Sequence, residues 1–289
     1  LCETKHLTKE FKRAWNLLRN HFLCAFVTLW QILLHNFKGR KMSANISVLN
    51  PDKRKKVLIV VGNPSVSQTT GWPIGFWWAE LTHPYWEFVE KGYEVEIVSP
   101  KGGDLEADGY SDPEDASGYS AHDLISLGFK KSEKHSALLK NTKSIKDVKI
   151  SDYDAIFIAG GQSPMYTMIE DSELHKFVAD FYDAGKVVSI VCHGTCVLLK
   201  VKLKDGKLLV DGKTWTGFAN SEEQFADNFV GKRIQPFWIE EEAKKLPNTN
   251  FIVDSMFKAF AVRDGRLITG QQQYSGAAAA KLVIEALGI

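Results

Sequence analysis

Cys192 closes a β-branched apolar run, Val187-Val188-Ser189-Ile190-Val191, and is followed at once by His193-Gly194-Thr195. A thiol set where a buried strand turns sharply into a helix-like segment is a nucleophile elbow built on cysteine. The helix N-terminus behind it is expected to favour thiolate over thiol. Cysteine is also among the most often buried residues and packs as a small hydrophobe, so the thiol alone does not decide. A second apolar run, Ala155-Ile156-Phe157-Ile158-Ala159, ends in Gly160-Gly161, whose bare N–H groups suit an oxyanion. Glu80, between Trp78 and His83, supplies a carboxylate that is either a proton carrier or a solvated helix residue.

The elements needed to bring these groups together are legible in outline. Residues 56–62 form a continuous apolar run bounded by charge and glycine, expected for a central strand buried on both faces. The stretch 76–81 leads to Thr82-His83-Pro84, which is expected to restart a helix running to Lys91 with Gly92 as its stop. Residues 93–100 supply a second strand. Residues 101–149 are polar and rich in Gly, Asp and Ser, with a weak helical stretch at 136–141; they are expected to run over the strand ends as a lid. Regular alternation resumes with a strand at 153–159, a helix at 172–184 and a strand at 186–191. A strand at 213–218, a helix capped by Asn220 or Ser221 and a helix at 239–246 follow. Strand-like runs at 251–255 and 259–262, a hairpin turn at 263–266 into Leu267-Ile268-Thr269-Gly270, and a helix at 275–287 complete the chain. Such alternation implies an α/β fold, a mostly parallel central sheet between helices. Cys192, Gly161 and the loop before Glu80 all follow strand ends, where open parallel sheets bind ligands.

Composition narrows the partners. With 36 Lys and Arg against 35 Asp and Glu the net charge is +1, so no nucleic-acid partner is expected. The four cysteines, Cys2, Cys24, Cys192 and Cys196, do not make a disulfide framework in 289 residues, and a reducing compartment follows. Cys192 and Cys196 lack a second cluster with metal-ligand spacing, so no structural zinc is expected. Residues 1–52 are set apart as an extension from a domain at 53–289. Within it, residues 22–34 are almost wholly apolar, with basic residues on both sides, and shorter than the roughly 20 residues a membrane span needs. Three readings stay open for the extension: a non-native upstream segment, an amphipathic surface helix, or a membrane anchor or signal. Membrane contact is expected only if the extension is native, and otherwise a cytoplasmic protein.

Glu80 with His83-Pro84, Ala159-Gly160-Gly161, Cys192-His193-Gly194, Thr216-Gly217-Phe218 followed by Glu222-Glu223, and Asp264-Gly265-Arg266-Leu267-Ile268-Thr269-Gly270 stand in one order along the chain. Together they resemble the ThiJ/PfpI superfamily, the class I glutamine amidotransferase-like fold, over roughly residues 55–289. The long excursion and Glu80-Leu81-Thr82-His83-Pro84 look most like its heat-shock chaperone branch of glutathione-independent glyoxalases (glyoxalase III), also described as chaperones and deglycases. The resemblance implies a flavodoxin-like three-layer sandwich, usually a homodimer, needing no metal or other cofactor. It implies Cys192 as nucleophile, His193 as its neighbour, Glu80 hydrogen-bonded to the thiol, and a carboxylate orienting the histidine, Glu223 by spacing rather than Glu222. Gly161 and His193 would supply the oxyanion hole. Thr195 stands where proline is common, and Gln162-Ser163 where histidine or asparagine with glycine is frequent.

The expected chemistry is attack of Cys192 on the aldehyde of a small-molecule 2-oxoaldehyde such as methylglyoxal. A proton shuttle by Glu80 or His193 and release of a 2-hydroxy acid follow. The alternatives are a holdase chaperone, a cysteine redox sensor or a cysteine peptidase. Trp72, Phe76, Trp77 and Trp78 are pocket-lining or core residues.

Overall fold

The computed structural model describes residues 54–288. The extension 1–52, with its apolar stretch, lies outside the described residues; among those described, no helix is long and apolar enough to cross a membrane. One sheet contains eight strands: β1 (Lys56–Val60), β2 (Glu94–Ser99), β3 (Lys101–Gly103), β4 (Thr142–Ser144), β5 (Ala155–Ile158), β6 (Val187–Val191), β7 (Ala261–Asp264) and β8 (Leu267–Gly270). Their order is β7-β8-β6-β5-β1-β2-β4-β3, parallel throughout except for the antiparallel pair at each edge. Val57 to Val60 and Ala155 to Ile158 are wholly buried, as strands must be when helices cover both faces.

The principal helices are α1 (Trp78–Glu90), α2 (Leu124–Lys131), α3 (Ser172–Asp183), α4 (Asn220–Val230) and α5 (Gly276–Leu287). The unit β1–α1–β2 steps one way along the sheet and β5–α3–β6 the other. Right-handed crossovers therefore put α1 and α3 on opposite faces, which makes three layers, and leave a crevice at the carboxyl ends of β1 and β5. In α3 the Asp171 carboxylate accepts from the Glu173 and Leu174 N–H groups, and Leu174, Phe177, Val178 and Phe181 repeat at helical spacing on the buried face.

The structure departs from the sequence expectations where tertiary contacts override local signals. Helix α1 runs unbroken through Pro84 rather than restarting there. Its prolyl ring fits against Gly276 at the start of α5, where a Cβ would come within 3.0 Å of Pro84 Cγ, and Thr82 Oγ1 donates to the Trp78 carbonyl at 3.0 Å. Helix α4 is capped at Ala219, not at Asn220 or Ser221; Glu222 reaches back to accept the Ala219 N–H at 3.1 Å. The excursion 101–149 is not only a lid: β3 and β4 extend the sheet edge and α2 packs on α1. In place of the expected helical stretch at 136–141 it has turns at Glu133–Ser136 and Ala137–Leu139, with further turns at Gly109–Ser111 and Ile145–Asp147. The run 213–218 contributes only Thr214–Trp215, paired with Asn250–Phe251 in a separate two-stranded sheet.

Candidate active site

The crevice gathers Cys192 from the end of β6, Gly160 and Gly161 from the end of β5, and Glu80 from the first turn of α1. Cys192 has φ +56°, a conformation that costs a non-glycine residue and that the elbow imposes by turning β6 directly into the 3₁₀ helix Cys192–Leu199. Thr195 Oγ1 donates to the Cys192 carbonyl at 2.7 Å, fixing the turn. Gly160 admits the convergence: a Cβ there would fall 2.5 Å from Glu80 Oε2 and 2.9 Å from Cys192 Cβ. Gly161, at φ +99°, lies so close to the Gly75–Trp77 backbone that a Cβ would come within 2.6 Å of it.

Cys192 Sγ lies 3.5 Å from His193 Nδ1, and His193 Nε2 lies 3.0 Å from Glu223 Oε1. The imidazole stacks on Phe218, ring centroids 4.1 Å apart, which holds it in the plane joining thiol and carboxylate. Glu222 is occupied elsewhere: its Oε1 accepts from the Phe257 N–H and from Gln271 Nε2. Glu80 is fully buried, and its Oε2 accepts the Gly160 N–H at 2.7 Å. Its Oε1 has no hydrogen-bond partner, and Glu80 and the Cys192 thiol shift each other's titration. The backbone N–H groups of His193 and Gly161 are both directed at the Cys192 sulfur. That is where an oxyanion adjacent to the sulfur would need donors.

Burial dominates the protonation states. It pushes Glu80 up to about 7, against the lowering contributions of Cys192, His193 and the Gly160 N–H. The thiol departs from the sequence expectation: burial, followed by the charge and hydrogen bonding of Glu80, raises Cys192 well above the ordinary cysteine range, more than the two backbone N–H groups offset. Desolvation pulls His193 down, but the Glu223 charge and hydrogen bond, with the charges of Glu80 and Asp108, together outweigh it and hold the imidazole above its usual value. Cys192 and Glu80 thus titrate as a coupled pair in which the proton rests on the sulfur. Cys196, buried with its Sγ against the Pro164 carbonyl at 3.5 Å, is kept a thiol by the same desolvation.

Residues 75–286 match the model of the DJ-1/PfpI family. The chain belongs to that family. It is 27% identical over 234 residues to glyoxalase 3 of Candida albicans, covering 80% of this chain and 98% of that protein. It is 28% identical to the glutathione-independent glyoxalase HSP31 of Saccharomyces cerevisiae, covering 81% and 98%. Among solved structures, Rapid Encystment Protein 24 kDa of Francisella tularensis superposes with a TM-score of 0.72 at 28% identity, covering 81% of this chain and all of that one. The crystal structure of glyoxalase III from C. albicans does so with 0.67 at 28%, covering 80% and 97%.

Around this DJ-1/PfpI elbow the structure adds residues that sequence reading missed. Asp108, 1% exposed, accepts the Gly75 N–H at 2.9 Å and the Gln162 N–H at 2.7 Å, tying the loop before Glu80 to the paired-glycine loop. Burial pushes its carboxyl up to about 7. In sequence it sits in a polar stretch that reads as a turn, and no periodicity marks it. A cavity of about 100 Å³ opens above Cys192, walled by Trp72, Trp77, Tyr110, Tyr119, Phe225 and Phe229. Phe76 and Trp78, by contrast, belong to the core.

Proposed function

We propose that the protein is a glutathione-independent glyoxalase, converting a 2-oxoaldehyde such as methylglyoxal to the 2-hydroxy acid. The observation that carries this reading is the fully buried Glu80 carboxyl, held by the Gly160 N–H at 2.7 Å and packed with the strained Cys192 elbow against Gly160. The curated relatives bearing glyoxalase names support it across four-fifths of the chain.

Sγ of Cys192 bonds to the aldehyde carbon C1 while its proton passes to the Glu80 carboxylate. The C1 oxygen, charged as the bond forms, faces the N–H groups of Gly161 and His193 and takes that proton from the Glu80 carboxyl, giving a hemithioacetal and restoring the Glu80 carboxylate. Glu80 then removes the C1 proton and delivers it to the C2 oxygen, giving an enediol, and the C1 hydroxyl proton passes through Glu80 to C2. C1 ends at the thioester level and C2 as an alcohol, so oxidation and reduction balance within the substrate and no external oxidant or reductant is required. Water, with His193 held by Glu223 as its base, cleaves the C1–S bond and releases acid and thiol.

The test is lactate production from methylglyoxal without glutathione. Cys192→Ala is expected to abolish turnover, and Glu80→Gln to lower kcat by about 10² to 10⁴, the usual worth of a positioned acid–base group. A folded, reduced wild type without turnover would overturn the proposal in favour of a holdase chaperone. A cytoplasmic homodimer belongs to the same proposal on the family resemblance alone, and light scattering of the full chain tests the dimer.

A further inference from the structure

The cavity above Cys192 is not a bare small-molecule slot. Its floor is Cys192, 2% exposed, and its rim reaches solvent at Phe225 and Phe229, 42% and 64% exposed. Between floor and rim the rings form a continuous edge-to-face chain. Trp77 meets Tyr119 with centroids 6.0 Å apart, Tyr119 meets Tyr110 at 6.2 Å, and Tyr110 meets both Trp72 at 6.2 Å and Phe229 at 6.5 Å. Phe229 stacks with Phe225 at 6.5 Å, and Phe225 meets Phe257 at 5.2 Å. Two separate parts of the chain, the excursion carrying Tyr110 and Tyr119 and helix α4 carrying Phe225 and Phe229, converge on this one rim.

A methyl group on the ketone of a 2-oxoaldehyde would touch little of such a wall. Exposed phenylalanines at a cavity mouth, at positions where a helix would ordinarily carry charge, leave apolar surface that an apolar substituent would cover. Aromatic rings prefer edge-to-face and offset partners at these separations, so a substrate ring would enter the chain as a further member. We infer that the site selects 2-oxoaldehydes whose ketone carries an aryl group, of the phenylglyoxal type, over methylglyoxal. The dicarbonyl sits at Cys192 and the N–H groups of Gly161 and His193, and the ring lies among Tyr110, Phe225 and Phe229. This rests on the glyoxalase reading for the reaction and on the rim alone for the substituent.

Two measurements on the full chain separate those grounds. The kcat/KM of phenylglyoxal is expected to exceed that of methylglyoxal by on the order of tenfold or more. The ratio is expected to fall at least fivefold in Phe229→Ser, a change at an exposed position that leaves the core intact. In parallel, mandelate and lactate, the two 2-hydroxy acid products, are titrated against tryptophan fluorescence, with mandelate expected to bind at least tenfold more tightly and to lose that advantage in Phe229→Ser. Turnover of methylglyoxal with no aryl preference, or mandelate binding no better than lactate, would overturn the inference and leave the glyoxalase reading standing. Aryl-selective binding without turnover of either aldehyde would support the rim and sink the reaction.

Discussion

Cys192 and Glu80 act as one acid–base unit because neither is solvated. Burial and the neighbouring carboxyl hold the thiol protonated, while burial moves Glu80 to about 7. On the proposed reaction, attack by Cys192 requires Glu80 to accept its proton, so kcat/KM for the aldehyde is expected to rise with pH through about 7. A limb near the ordinary glutamate value would contradict the buried geometry. The same coupling predicts that Glu80→Gln, by removing a negative charge beside the sulfur, lowers the thiol's pKa. It should therefore speed iodoacetamide alkylation of Cys192 at pH 8 several-fold over wild type, even as turnover is lost; slower alkylation of the variant would dissociate the two groups.

The loops after β1 and β5 are held in register by backbone approach rather than by side-chain packing. At Gly161 the positive φ and the 2.6 Å clearance to the Gly75–Trp77 backbone leave no room for a methyl group. Gly161→Ala is expected to cost on the order of 2 kcal/mol or more, from strain and a forced shift of the loop. It should also misaim one of the two N–H donors and lower kcat more than it raises KM. Denaturant unfolding together with steady-state kinetics checks both, and an alanine variant of wild-type activity would show that the loop is not rigid. Sequence marked this position through its paired glycines. It could not mark Asp108, which binds the same loops, because a buried carboxylate that accepts two distant N–H groups looks like any polar turn residue until the chain is folded.

At the scale of the whole molecule, two buried carboxyls make stability depend on pH in the opposite sense to a surface salt bridge. Glu80 and Asp108 both titrate at about 7 in the folded chain, above their ordinary values of 4.5 and 3.8. Their protonated forms favour the native state, a contribution fully present below about pH 4 and lost as pH rises through about 7. Glu96 runs the other way: burial raises its carboxyl, but Lys143, Lys56 and Tyr153 outweigh that and lower it to about 2, so its contribution is lost only as pH falls from 4.5 through about 2. Thermal stability is therefore expected to be greatest in mildly acidic buffer. Glu80→Gln should lie close to wild type near pH 4.5 and exceed it at pH 8 by about 3 kcal/mol, roughly 6–12 °C in Tm for a domain of this size. A variant no more stable than wild type at pH 8 would show that Glu80 is paid for by interactions beyond those described.

What the sequence determined by itself was whatever is written locally. The apolar runs at 57–60, 155–158 and 187–191 read as strands buried on both faces, and the cysteine and glycines at the ends of two of them are placed to meet beyond the carboxyl ends of a parallel sheet. Tertiary structure decided what depends on distant neighbours. It carried α1 through Pro84 because Gly276 leaves space for the ring, turned Glu223 rather than Glu222 to the histidine because Gln271 and the Phe257 N–H occupy the latter, and built the aromatic rim from residues over a hundred positions apart. It also reversed the expected ionisation of Cys192. A helix N-terminus favours thiolate from local backbone alone, whereas the desolvation and the Glu80 carboxyl that oppose it exist only when the chain has closed around the sulfur.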